Sequence, residues 1–317
     1  MMEVAPNLKN IGKRVRAVPV LVDLDARFRM MDEFDEYCQV ICMAAPPLEL
    51  MGGPEISAEM ARVGNDGLAE YVAKYPDRFP GFIASMPMNN PEAAVAEIDR
   101  VVNDLNAVGV QFFTNVNGAP LDLPELKPLF AKMAEHDLPI WIHPARGEKF
   151  PDYLTEEKSK YEIWWTFGWP YETSAAMARI VFAGYFDDFP NLKIIAHHMG
   201  AMVPYFEGRV GPGWDQLGAR TSDEDYSLVL KRLKKRPFDY FKMFYVDTAV
   251  FGAVPATKCG LEFYGVDNVL FASDCPFDPE KGPGYIRDTI KIIEELDISD
   301  SDREKIFSGN AKRLLKL

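Results

Sequence analysis

Histidine is scarce in this chain, with four in 317 residues, and cysteine is equally scarce. Cys38, Cys42, Cys259 and Cys275 form no C-x-x-C pair, which removes zinc ribbons and dithiol redox motifs from consideration. Apolar, strand-like residues surround three of the four, so buried free thiols in a reducing cytoplasm are expected. No apolar run approaches the roughly 20 residues that a bilayer span needs. No signal-peptide pattern precedes the first charged residues. Basic residues are also in deficit, 35 Lys and Arg against 48 Asp and Glu, for a net charge of −13. That balance argues against nucleic acid and leaves no sign of a membrane partner. An anionic small molecule stays open, because a few placed arginines reverse the potential locally. Neither an internal sequence repeat nor a low-complexity tract is present, and no glycine-rich phosphate loop follows an early strand.

What the chain does have is alternation. β-rich apolar runs recur as "CQVICMAAP" (38–46), "FPGFIASMP" (79–87), "VGVQFFTN" (108–115), "LPIWIHP" (138–144), "LKIIAHHMG" (192–200), "KMFYVDTAV" (242–250) and "NVLFASDCPF" (268–277). Between them lie segments whose apolar residues fall at helical spacing, with Ser57, Asn90 and Asp122 as caps or near-caps. Nearly continuous apolar strands separated by helices indicate a parallel sheet covered on both faces. The length suits a single (β/α)8 barrel domain over 1–317, preferred to an open doubly wound sheet. Seven strands are one short of closure. Residues 1–20 read as a basic lead-in, and "VDLDARFRMMDEF" reads as a helix capped by Asp23 or Asp25, with Phe28, Met31 and Phe34 on its buried side. The expectation is that the sequence as given begins after the barrel's first strand. A long aromatic insertion, "ARGEKFPDYLTEEKSKYEIWWTFGWPYE", follows the "IWIHP" run. Loops on a barrel's carboxyl face build the active site, so this one is expected to cover a pocket, or else to pack on another subunit.

Three runs end in groups that bind metals or carry protons: His143, the pair His197 and His198, and Asp274. In a parallel barrel these ends share one face, and two imidazoles with a carboxylate suit a divalent ion. Side chains alternate along a strand, so only one of His197 and His198 is expected to face the axis. Alternation alone does not say which. His136 sits at a helix end and reads as a solvated or capping histidine.

"HP" at 143–144, "HMG" at 198–200 with "GRV" at 208–210, "VDTAVF" at 246–251, "ASDCPF" at 272–277 and "GNAKRLL" at 309–315 together carry a resemblance. From about Asp25 onward the chain resembles the amidohydrolase superfamily, in the branch of aminocarboxymuconate-semialdehyde decarboxylase and γ-resorcylate decarboxylase. The resemblance implies a distorted (β/α)8 barrel of the metal-dependent hydrolase type and a homodimer. It implies one divalent metal, zinc before manganese, held by His143 and Asp274. It makes His198 the catalytic histidine acting in proton transfer, and turns His197 elsewhere. It also implies carboxylate-binding arginines: Arg209, reaching into the partner's site, and Arg16, with Arg14 as its neighbour. Two further metal ligands, His-x-His or a variant with Glu on the first strand, have no counterpart here, since no histidine precedes His136.

The implied activity is non-oxidative decarboxylation of a small unsaturated or aromatic carboxylic acid by a cytoplasmic enzyme. Trp165, with Trp164, Phe167 and Trp169, is expected to wall the substrate pocket. Two other readings remain. The same scaffold could hydrolyse a lactone or hydrate a double bond, or the chain could be a catalytically dead family member. Cys275, beside Asp274, reads as a packed thiol.

Overall fold

All seven apolar runs become strands of one sheet. The computed structural model describes residues 15–221 and 224–317, so Arg14 lies outside the described residues. The strands are β1 (Val40–Cys42), β2 (Gly81–Ser85), β3 (Gly109–Phe113), β4 (Pro139–His143), β5 (Lys193–Ala196), β6 (Tyr245–Asp247) and β7 (Val269–Leu270). Each pairs in parallel with the next, in sequence order. Parallel neighbours need crossovers, and helices supply most of them. The principal helices are α1 (Leu24–Met31), α2 (Pro54–Lys74), α3 (Pro91–Asn103), α4 (Lys127–His136), α5 (Gly168–Ala183), α6 (Val254–Tyr264), α7 (Pro283–Glu295) and α8 (Asn310–Leu315).

Side-chain alternation sorts the sheet into two faces. Phe82, Ala84, Val110, Phe112, Ile140, Ile142, Ile194, Ala196, Val246 and Val269 point outward and join the large core beneath the helices. Ile83, Trp141, Ile195 and Leu270 point inward, with Val40 and Tyr245 beside them. Leu314 and Leu315 of α8 complete that inner cluster, so the chain's last helix plugs one end of the curl. Each fully buried aliphatic side chain here stabilises by about 1.5–3 kcal/mol.

Among the described residues no strand pairs the outer edges of β1 and β7. Side chains join the two edges instead: the Tyr37 ring lies 6.4 Å from that of Phe271, and Gln39 Nε2 lies 4.0 Å from Cys275 Sγ. The sheet therefore curls back on itself as an incomplete barrel.

Local chemistry sets the helix starts. Asp23, not Asp25, caps α1, accepting from the N–H groups of Asp25 and Ala26 at 2.9 and 3.2 Å. Met31 is fully buried, with Phe28 and Phe34 half-buried against the core. Asn90 caps α3 by accepting from Ala93 N. Ser57 is not a cap: α2 starts three residues earlier because Pro54 fits the first helical position, and Ser57 lies inside the first turn. Asp122 also lies clear of a helix start and pairs with Arg179. At the end of the basic lead-in, Pro19–Leu21 form a single 3-10 turn. Among the described residues no helix is long and apolar enough to cross a membrane. The four thiols are free, but Cys38 and Cys42 are exposed, which corrects the expectation that they are buried. Cys42 follows Val40 by two residues and so faces the hollow of the curl, where no strand of the described residues covers it.

Candidate active site

The apolar floor of the curl changes character one step up each strand. Two residues beyond Trp141, Ile195 and Tyr245 stand His143, His197 and Asp247, and four beyond Leu270 stands Asp274. By this parity His197 is the inward member of the histidine pair. His198 reaches the same place by another route. The strand ends at Ala196, and His198, Met199, Gly200 and Ala201 all have positive φ, at 58, 55, 68 and 58°. Such a run of left-handed backbone is strained for the three non-glycine residues. Gly200 is obligatory, because a Cβ there would lie 2.1 Å from the Tyr264 hydroxyl oxygen. The turn folds His198 back toward His197.

Both histidines therefore reach the site, and the expectation that His197 faces elsewhere is corrected. Ring centroids are 5.5 Å apart for His143 and His197, 6.3 Å for His143 and His198, and 5.8 Å for His197 and His198. Each ring is anchored through Nδ1. His143 donates to the carbonyl of Pro144 at 2.7 Å, His198 to that of Ala249 at 2.7 Å, and His197 to the Asp247 carboxylate at 2.5 Å. These partners fix the protonated nitrogen, leaving each Nε2 as the working atom.

Charge follows from the surroundings. Burial holds His143 well below the usual imidazole range, and the two neighbouring imidazoles push it the same way, so it is neutral at pH 7. Burial also opposes a charge on His197, but the adjacent Asp247 carboxylate, helped by Asp274, wins and raises its proton affinity. Asp247 is fully buried, yet His197 and its hydrogen bond draw its carboxyl below the ordinary value. Asp274 lies close enough to influence His197, Cys42 and Cys275, which places it between the end of β7 and the open edge at β1. Burial pushes the Cys275 thiol up to about 12, so it stays protonated, a half-buried thiol as expected.

Aromatic rings wall the mouth. Trp169 lies 5.3 Å from His143 and donates Nε1–H to the carbonyl of Arg146, while Phe251 lies 5.6 Å from His198. Trp165 spans the two, 6.4 Å from Trp169 and 6.2 Å from Phe251, with Tyr285 behind Phe251 and Trp164 beside Trp169. The insertion thus covers the site. Phe167 does not take part: it sits where Ile163–Thr166 meets α5 and is 67% exposed. The expected set His143, His198, Asp274 and Trp165 converges on this mouth. Arg209 is exposed, its guanidinium 5.9 Å from the Phe206 ring, and Arg16 is exposed on the segment before Pro19–Leu21. His136 is remote in role, pairing through Nε2 with Asp99 at 2.8 Å and tying α4 to α3.

The donors match a divalent cation in kind: a neutral imidazole whose Nδ1 is tied to a carbonyl, and the carboxylate of Asp274 four residues beyond β7. In number they are few. Among the described residues no group of three or more His, Cys, Asp or Glu could hold a metal ion.

Comparison with known proteins places this geometry. The chain is 32% identical to γ-resorcylate decarboxylase of a Polaromonas species over 311 residues, covering 94% of this chain and 89% of that one. It is 29% identical to 2-amino-3-carboxymuconate-6-semialdehyde decarboxylase of Dictyostelium discoideum over 299 residues, covering 93% and 77%. Its structure matches that of a Polaromonas dihydroxybenzoic acid decarboxylase with bound manganese and the inhibitor 2-nitroresorcinol, at a TM-score of 0.80 and 30% identity, covering 100% of this chain and 92% of the other. The Amidohydrolase family profile matches residues 25–317, and the chain belongs to that family.

Proposed function

We propose that this protein is a metal-dependent decarboxylase of small hydroxylated aromatic acids. The observation that carries the reading is the trio of imidazoles, each fixed through Nδ1 and converging under an aromatic wall. The decarboxylase relatives supply the substrate class. His143 and Asp274 would hold the ion. The bound manganese of the related structure makes manganese the ion adopted here, ahead of zinc. A divalent cation bound there would supply Lewis-acid polarisation.

The chain's own residues do the rest. In decarboxylation the bond between ring carbon and carboxylate breaks, CO2 leaves, and the electron pair left on the ring carbon takes a proton. His198 is the proton carrier, with Nδ1 committed to Ala249 and Nε2 left to exchange. Trp165, Trp169 and Phe251 exclude water and stack on the substrate ring. Arg209, exposed on its own chain, serves the carboxylate of a partner subunit in a homodimer, and Arg16 serves as a second carboxylate contact. Four free thiols accord with a cytoplasmic setting.

The test is turnover of 2,6-dihydroxybenzoate by the manganese-loaded protein and its His198→Asn variant. The variant is expected to lose about 10²–10⁴-fold in kcat with its manganese content unchanged. Full turnover by the variant would remove His198 from the reaction. Ring opening or hydration without CO2 release would move the protein to another chemistry of the same scaffold.

A further inference from the structure

Two adjacent residues in a chain seldom serve one site, and here both do. The feature that makes this possible is the carboxylate of Asp247, at the end of β6 and only 1% exposed. One oxygen, Oδ2, accepts from His197 Nδ1 at 2.5 Å. The other, Oδ1, accepts from the backbone N–H of His198 at 2.9 Å and that of Ala249 at 3.1 Å. The second of these bonds fixes the segment whose Ala249 carbonyl accepts His198 Nδ1 at 2.7 Å. Asp247 thus touches one histidine through its ring, and reaches the other through its backbone and through the carbonyl that its ring meets. It does so at the first residue of a strained left-handed run.

We infer that Asp247 is a positioning residue that locks the His198–Ala201 turn and sets the tautomer of His197, so that both imidazoles present Nε2 to the site. The inference concerns the chain's own geometry. It deepens the proposed function only in saying how His198 is held, and His197 becomes a second oriented imidazole beside His143.

The Asp247→Asn variant separates the two roles of the carboxylate. Two backbone N–H groups face Oδ1, so the amide must turn its oxygen toward them. Its NH2 group is then forced toward His197 Nδ1. A donor now faces a donor, and the neutral His197 ring relieves the clash by moving its proton to Nε2. His198 keeps both of its anchors. With only four histidines, selective 15N-histidine labelling and long-range 1H–15N correlation spectra, recorded well above neutral pH, read the tautomer of each ring. The expected result is Nδ1–H for His197 in the parent and Nε2–H in Asp247→Asn, with the His198 and His143 patterns unmoved. In Asp247→Ala the His198 pattern shifts as well, because the turn loses its anchor.

An unchanged His197 tautomer in Asp247→Asn would overturn the inference, whether or not the alanine variant folds. If the protein proves to be a decarboxylase, Asp247→Asn should lower kcat by about 10–100-fold with KM moved far less. If it proves inactive on aromatic acids, the spectra still decide the role of Asp247, so failure of this inference and failure of the functional reading are distinct results.

Discussion

Glu49 follows β1 in a short 3-10 turn, Leu48–Leu50, and is 6% exposed, with both carboxylate oxygens lacking a hydrogen-bond partner among the described residues. Burial without a partner disfavours the charged form, and its pKa is pushed from an ordinary 4.5 up to about 7. Each tenfold change in proton affinity is worth about 1.4 kcal/mol, so the difference between folded and unfolded chains amounts to about 3 kcal/mol. The direction is fixed by linkage. Between these two values the folded protein keeps the proton and the unfolded chain has lost it, so stability falls as pH rises through that interval. Below the unfolded value the group is neutral in both states and the contribution is whole. Above the folded value the loss is complete. Glu49→Gln replaces the acid by a neutral group of the same shape. Urea unfolding should show the variant more stable than the parent by about 3 kcal/mol at pH 8, shrinking toward zero near pH 4.5. An equal difference at both pH values, or a parent more stable at pH 8, would refute a buried, unpartnered carboxyl.

Gly200→Ala places a Cβ against the Tyr264 hydroxyl and forces an L-residue to positive φ, so it should cost about 2 kcal/mol or more and shift the His198 resonances, read by thermal melting and the same labelled spectra. Manganese should raise the melting temperature in a concentration-dependent way, as any ligand of the native state does. In the Asp274→Asn variant that response should weaken, and an undiminished response would place the ion elsewhere.

Much of the fold is legible in the sequence because buried parallel strands are written as unbroken apolar runs. All seven runs from Val40 to Leu270 are strands, paired in chain order. Asp23 and Asn90 are legible as caps for the same local reason, a short polar side chain before an amphipathic run. Ser57 misleads because Pro54 is the stronger start signal. The site is legible as far as strand ends go, which covers His143 and Asp274. It fails at His197 because strict alternation assumes an extended chain, and the backbone leaves that state at His198. A signal was present nonetheless: Ile195 takes the same inward parity as Trp141, two residues below His143, so His197 follows inward. Asp247, within "VDTAVF", carries no role legible in the sequence, since a buried acid is visible only when its partners, fifty residues upstream, are in place. Phe251 and Tyr285 are likewise hidden in the sequence, because their contribution depends on a positive-φ turn and on the start of α7.

In the proposed function a metal held at His143 and Asp274 enables decarboxylation beside His198, and this dependence is open to direct assay. It is tested most directly by measuring CO2 release from 2,6-dihydroxybenzoate by the purified chain as isolated, after chelation, and after manganese is restored. The expected result is release that chelation abolishes and manganese recovers. Release that persists undiminished in the fully chelated protein would contradict it, as would none in a folded protein carrying stoichiometric manganese.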